Sequence, residues 1–372
     1  MMKKHLMYVF VNGYAPLYNW GGITRSVENF AHNMADAHDL RIVSGACLLG
    51  EKKAHENVKI NTWQNKDKTQ VYYFYGGLWQ YLRFLWTLEN DVYFYVHSFF
   101  SFRFGILPLL LAKRKNAKVI LNTSGMLSDA ALRVKPLKKK IYLKLSNWVG
   151  FYQNVTFQAT SELEKQDILK NIADATAVVV PHFPVFFHYT EKQPAENYLF
   201  LTVGRIVPIK NLDFVLRALS EKPLEKPFTW KIAGALEDKN YAAHFFLEAK
   251  KIHNLQVIYL GELDFEHLQT KYEQVHFYLC PSWSENFGHA IVEAMMRACV
   301  PILGNQTPFK NLQNIGFDLD FDVRLWCETL NKANAMPWQE YQQYSKNSYD
   351  YIVKTLHAED IKKAFEQNLM KI

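Results

Sequence analysis

Short apolar runs alternate with segments of helical period along most of this 372-residue chain, and a proline-rich polar stretch, Pro181 to Asn197, divides them into two series. The alternation is the pattern of a doubly wound α/β sheet, and the length exceeds what one hydrophobic core usually spans. The predicted fold class is therefore α/β: two Rossmann-like parallel-sheet domains facing a central cleft.

The N-terminal "MMKKHLMYVFVNGY" superficially resembles a signal peptide. Its apolar run, Leu6 to Val11, is only six residues and stops at Asn12-Gly13, so it reads as a first buried strand entering a loop. In the first half "LRIVSG", "DVYFYV" and "AKVILN" read as further strands. "GGITRSVENFAHNMADA" and "LWQYLRFLWTL" read as the helices between them. In the second half "YLFLTVG", "FTWKIAG", "LQVIYLG", "VHFYLC" and "VPILGN" repeat the strand pattern. The expected boundaries are an N-terminal domain over 1–190, a second Rossmann-like domain over 191–345, and a helical segment over 346–372 returning to the first domain.

Apolar residues make up 49% and charged residues 21% of the chain, as in soluble globular proteins. No apolar run reaches the eighteen or so residues a membrane span needs. Cys47, Cys280, Cys299 and Cys327 are far apart, without CxxC or HExxH, so neither a zinc site nor a disulfide framework is signalled. A reducing cytoplasm is the compartment this implies. The net charge of +7 is concentrated: Lys113 to Lys144 holds ten Lys or Arg against one acid, Asp129. With Tyr142, Trp148, Phe151 and Tyr152 following, this stretch reads as a face for an anionic membrane surface. No nucleic-acid motif accompanies it. Fifteen aromatics between Tyr72 and Phe104 read mostly as core.

Ligands of such sheets bind beyond the carboxyl ends of the strands, so those loops carry the functional candidates. "LTVGRIVPIKNLDFVLRAL" sets Gly204, Arg205 and Lys210 between a strand and a helix, a combination suited to a diphosphate or, more blandly, to solvent. "PSWSENFGHAIVEAM" places Glu285 on a loop, Gly288 near a helix start and Glu293 two turns inside, reaching outward from the helix. A helix N-terminus attracts anions through unpaired N–H groups and its dipole. Eight residues of helix rise about 12 Å, beyond the roughly 5 to 9.5 Å between glycosidase carboxylates, so the two acids suit different parts of one long ligand. Gly21-Gly22 after the first strand is a weaker phosphate candidate. Asp318, Asp320 and Asp322 in "GFDLDFDV" form overlapping D-x-D patterns that fit a metal site or a half-exposed edge strand.

Taken together, these segments resemble the family 4 retaining glycosyltransferases of the GT-B fold over nearly the whole chain. "VGRIVPIKNLDFVLRAL" is similar to the family's phosphate loop, and "PSWSENFGHAIVEAM" to its double-glutamate signature. "QATSELEKQDI" and "NQTPFKNL" are also similar to family segments, and "SGMLSDAALRVKPLKKKIYLKL" resembles a bacterial polysaccharide-assembly branch. The resemblance implies that Arg205 and Lys210 bind the donor diphosphate. It also implies that Glu285 holds the donor sugar with the Asn286, Phe287 and Gly288 backbone, that Glu293 holds the ribose, and that Gly22 touches the phosphates. Gly204 would belong to the phosphate loop, and the base would lie near Gly234 and the "GELD" turn around Leu263. His97 and Ser124 would be acceptor-side residues. Ser124-Gly125 stands where relatives carry His-Gly or Arg-Gly, and Ala298 stands where they carry glycine.

The expected activity is retaining transfer of a hexosyl-type sugar from a nucleotide-sugar donor to a glycan or lipid-linked acceptor, in capsule, exopolysaccharide or lipopolysaccharide assembly. No cofactor and no metal is expected to be required, and the enzyme is expected to be cytoplasmic, peripheral on the inner face of the plasma membrane. A sugar-nucleotide epimerase or hydrolase, and a non-catalytic sugar-nucleotide-binding protein, are the alternatives.

Overall fold

The computed structural model describes residues 4–222 and 224–370. The chain forms two compact units, one running to Phe183 and resuming at Ala358, the other Pro184–His357.

The first unit is built on β1 (Leu6–Gly13), β2 (Asp39–Gly45), β3 (Trp63–Lys66), β4 (Thr69–Phe74), β5 (Tyr93–Val96), β6 (Lys118–Asn122), β7 (Val155–Ala159) and β8 (Thr176–Val179). They form one sheet in the order β3-β4-β2-β1-β5-β6-β7-β8. Only the β3–β4 hairpin is antiparallel. β5 and β7 are buried along their whole length, as expected of parallel strands covered on both faces. Tyr8, Phe10, Phe94, Phe99 and Phe157 anchor the core on one side.

The second unit holds β9 (Leu199–Val203), β10 (Phe228–Ala233), β11 (Leu255–Gly261), β12 (Phe277–Cys280), β13 (Val300–Gly304) and β14 (Phe317–Leu319). They make a parallel sheet in the order β11-β10-β9-β12-β13-β14. Phe200 stacks on Phe228 at 4.0 Å and on Phe277 at 5.0 Å between ring centroids, fastening β9 to both neighbours. Further along, the buried Thr202 hydroxyl donates to Leu279 O at 2.8 Å and accepts from Trp230 Nε1 at 3.0 Å.

Two boundaries differ from the sequence expectation. Unit 1 ends at Phe183, with no regular secondary structure from residue 180 through 195. Residues 346–355 do not return to the first domain but continue the helix Trp338–Thr355 of unit 2. Ser345 and Ser348 of that helix donate to Ala298 O and Cys299 O at 2.7 and 2.9 Å, tying it beside β13. The segment that does return starts at Ala358. Its Phe365 packs 5.0 Å from Phe30 and 5.4 Å from Tyr95, and Met370 O accepts from the Tyr93 hydroxyl at 2.6 Å.

Four buried histidines are expected to make the fold acid-sensitive; burial lowers His38 against the opposing pull of Glu366. Burial, reinforced by His182, holds His97 well below the usual imidazole range; burial also lowers His182 to about 3 and His276 to about 4. A depressed folded-state value means that the unfolded chain binds more protons below about pH 6.5, so this stability is complete at neutral pH and is lost as pH falls. Asp167 acts oppositely: burial, then Asp129, raises its carboxyl to about 6, so its penalty at neutral pH is relieved on acidification. Four histidines against one carboxyl give a net expected loss of about 3 kcal/mol or more between roughly pH 7 and 4.5. Urea midpoints at the two pH values measure it; an unchanged midpoint would mean that the histidines accept protons within the fold.

Candidate functional site

β9 and β12 pair only at Phe200–Phe277 and Leu201–Tyr278. The chain proceeds from β9 outward to β10 and β11, then crosses to the other side of β9 for β12. At such a switch point the following loops leave in opposite directions and open a crevice for ligand. Two loops face each other there: Gly204 to Lys210, closed by the short turn Pro208–Lys210, and Pro281 to Gly288.

Trp283 N donates to Ile209 O at 2.9 Å, and Asn211 Nδ2 donates to Pro281 O at 3.1 Å. Between these links the Lys210 ammonium donates to Glu285 Oε1. Ser282 Oγ donates to the same oxygen at 2.8 Å, and Glu285 N donates to Gln306 O at 3.0 Å beyond β13. Burial alone pulls the Lys210 ammonium toward neutrality, but the Glu285 carboxylate outweighs it and raises the value. Burial, then Glu285, pushes the Cys280 thiol up to about 12, so it stays protonated. The side chains of Lys210 and Glu285 remain 21% and 16% exposed, enough for a ligand to reach both.

The other predicted residues fall in distinct places. Arg205 lies within electrostatic reach of Lys210, but its guanidinium is exposed and pairs with Glu237, because that carboxylate follows β10 on the same rim. Glu293 does not reach outward but is buried in the helix His289–Met296, beside the fully buried Tyr272, whose hydroxyl is held neutral by burial and then by this carboxylate. Tyr278 lies within electrostatic reach of both glutamates. Gly288 has φ of 73° where the chain turns into the helix, Phe287 is buried against the His289 ring, and Asn286 is half-buried. Gly234 sits at φ 141°, and a Cβ there would lie 2.0 Å from Gly204 O. Its N–H donates to Gly261 O at 2.8 Å, which brings the half-buried Leu263 turn to the same sheet end.

In the first unit the order reverses between β1 and β5, and Gly22 and His97 follow those strands. Gly22 opens an exposed helix N-terminus, Gly22–Met34. His97 has no exposed surface and is packed between Tyr95 and His182, with centroids at 4.2 and 5.9 Å. Ser124 adopts φ of 49°, and its hydroxyl donates to Asn122 Oδ1 at 2.7 Å. Glu164, which the sequence reading passed over, braces this loop. Its carboxylate accepts from Thr123 Oγ1, Gly125 N, Thr160 N and Thr160 Oγ1 at 2.5 to 2.8 Å. The signal was the T-S-E-L-E run, in which Ser161 caps the helix that carries Glu164. Ser282, three residues before Glu285, was missed in the same way.

The aspartate triplet is taken up by local hydrogen bonds, two of its members serving the backbone and Asp320 a side-chain amide. Asp318 accepts from Asn311 N and Leu312 N at 3.0 and 3.2 Å, Asp320 from Asn305, and Asp322 caps the helix Val323–Asn334 through Leu325 N at 2.8 Å. Among the described residues no cluster of three or more His, Cys, Asp or Glu has the geometry of a metal site.

Two parallel-sheet units with polar loops at the second switch point define the GT-B glycosyltransferase fold. Residues 187–314, which contain Lys210, Glu285 and Glu293, match the family described as glycosyl transferases group 1. An uncharacterized glycosyltransferase from Methanocaldococcus jannaschii is 23% identical over 276 residues, 74% of this chain and 72% of its own. Among solved structures, HepE from Anabaena in complex with UDP-glucose aligns with a TM-score of 0.69 at 14% identity, covering 99% of this chain and 100% of its own. Sucrose-phosphate synthase from Thermosynechococcus elongatus aligns at 0.71 with 13% identity, and the trehalose-6-phosphate synthase OtsA at 0.72 with 12%, each covering 99% of both chains. The family match and the fold support a glycosyltransferase.

Lys210 and Glu285 act as one unit, so their substitutions should not add. In urea unfolding, Lys210→Ala and Glu285→Gln are expected to couple by about 1 to 2 kcal/mol, since each single change leaves a partly buried partner unpaired. A double variant whose loss is the sum of the singles would separate the two residues.

Proposed function

We propose that this chain transfers a sugar from a nucleotide-sugar donor to a glycan or lipid-linked acceptor, with retention at the anomeric carbon. The observation that carries the reading is the Lys210–Glu285 pair at the switch point of the second sheet. An ammonium has three donors; one reaches Glu285, which leaves others for a diphosphate. The N-terminus of the helix His289–Met296 adds partial positive charge beside the same loop. Glu285, acceptor of Lys210 and Ser282, is suited to orient sugar hydroxyls near that diphosphate.

In this mechanism the bond between the anomeric carbon and the donor phosphate breaks as the diphosphate departs, its charge taken up by Lys210 and the helix end. The departing phosphate oxygen accepts the proton of the acceptor hydroxyl, whose oxygen bonds to the anomeric carbon on the same face. Arg205 has donors beyond the one it gives Glu237, and its half-exposed guanidinium contributes to donor binding at the rim. The scheme uses no protein nucleophile and routes no step through a metal ion. Transfer should accordingly survive EDTA in a panel of nucleotide sugars assayed with and without acceptors. Activity lost to chelation and restored by manganese would overturn the metal-free scheme, and donor turnover indifferent to any acceptor would favour a hydrolase or epimerase.

The two glutamates should fail differently. Charge develops at the sugar, next to Glu285, so Glu285→Gln is expected to lower kcat by about 100-fold or more. Glu293, buried within the helix His289–Met296, supports donor binding that does not change during transfer. Glu293→Gln is therefore expected to raise the donor KM with kcat nearly unchanged, thermal unfolding serving to verify the fold. The reverse split would invert the donor in the crevice.

A further inference from the structure

The basic stretch Lys113 to Lys144 is not one surface. Lys115 Nζ is committed to Trp86 O and Leu88 O at 2.8 and 2.6 Å, and Lys118 opens β6 with its ammonium over the Tyr93 ring. Lys139 turns inward, donating to Ala131 O at 2.6 Å over the Phe100 ring.

The helix Pro136–Trp148 is a different matter. Its inner side is fixed by the buried Leu143 and Ser146 and by the Tyr142–Tyr152 hydroxyl contact at 2.7 Å. Asn147 adds hydrogen bonds to Asn171 O and from Ala173 N. Its outer side carries Leu137, Ile141, Leu145 and Trp148, exposed by 70, 50, 56 and 83%. At 100° per residue these four fall within an arc of about 80°, a continuous apolar stripe. Lys138 borders the stripe on one side; Lys144 and Lys140 border it on the other, and all three are exposed. Val134 and Val149 extend the apolar surface beyond either end.

We propose that this helix lies in the surface of an anionic bilayer, with Leu137, Ile141, Leu145 and Trp148 in the headgroup boundary and Lys138, Lys140 and Lys144 on the lipid phosphates. Charge selects this occupant. An apolar stripe flanked on both sides by cations suits acyl chains edged by anionic headgroups, and indole is at home in that interface. A second copy of the same helix would bring like charges together along both borders. The proposal stands apart from the transfer reading, since neither donor nor acceptor enters it.

Co-sedimentation of the full chain with vesicles of phosphatidylcholine, alone or with phosphatidylglycerol, tests it. Binding is expected only to the anionic vesicles, weakening as salt rises, with a blue shift of tryptophan emission that is absent in Trp148→Gln. Leu137→Gln/Ile141→Gln/Leu145→Gln and Lys138→Gln/Lys140→Gln/Lys144→Gln should each lower the partition coefficient by about tenfold or more, as three interfacial contacts imply. Equal partition of wild type into neutral and anionic vesicles, or no partition at low salt, would overturn it. So would self-association, read by sedimentation velocity, that the Leu/Ile variant abolishes while vesicle binding is unchanged. Should that variant not fold, the lysine variant and the salt series decide alone.

Discussion

The second unit turns on one ion pair. Where β9 and β12 part, the sheet can no longer hold its loops by backbone pairing, and Lys210–Glu285 spans the gap. A charge taken out of water costs several kcal/mol unless a partner and further hydrogen bonds offset it. Ser282 adds to that offset by donating to the Glu285 carboxylate, the Glu285 amide holds Gln306 O beyond β13, and with the Trp283–Ile209 and Asn211–Pro281 links these contacts fix the loops after β9, β12 and β13. Preorganisation follows from this arrangement. The cation stands in place before any anion arrives, and no loop has to be ordered at the moment of binding.

The glycines at the same sheet end have a plainer explanation than contact with ligand. Gly204 and Gly234 both adopt positive φ, and the Gly234 position lies against Gly204 O, so any side chain there would strike backbone. Gly204 N–H donates to Ala233 O at 2.9 Å and Gly234 N–H to Gly261 O, one strand end handing on to the next. These residues let three loops stack closely enough to make a floor. In the proposed transfer the polar side chains, not the glycines, would supply the chemistry.

The fold was legible because central parallel strands are buried on both faces and so read as uninterrupted apolar runs; "VHFYLC" and "VPILGN" were recognisable for that reason. Less was visible where a strand is short or polar: β3 with "WQNK", and β8 with "TAVV" merged into the approach to the linker. Lys210 and Glu285 were each legible as candidates, but their contact was not, since 75 residues separate them and only the topology brings them together. The outward stripe of Pro136–Trp148 was hidden for a different reason. Periodicity reports which residues share a face, not whether that face meets the core. Here Leu143 packs inward while Leu137 and Leu145 do not, so hydrophobicity is spread around the helix. Glu293 was placed outward on the same kind of ambiguity, a charged residue on a helix whose surroundings are all apolar.

Each unit uses a carboxylate to brace a strand-end loop, and comparing the two shows why only one is suited to chemistry. Glu164 is 2% exposed and surrounded by neutral donors from Thr123, Gly125 and Thr160. All of its hydrogen bonds go to groups of the same loops, and a ligand could engage it only by dismantling them. Glu285 is 16% exposed, and its strongest partner is a cation that can be shared. An anion entering the crevice offers Lys210 a second partner without stripping the first, because the ammonium can donate to both. Ser282 keeps the carboxylate oriented while that happens. The neutral brace therefore makes the Ser124 loop rigid, whereas the charged brace makes the second switch point both ordered and responsive to negative charge.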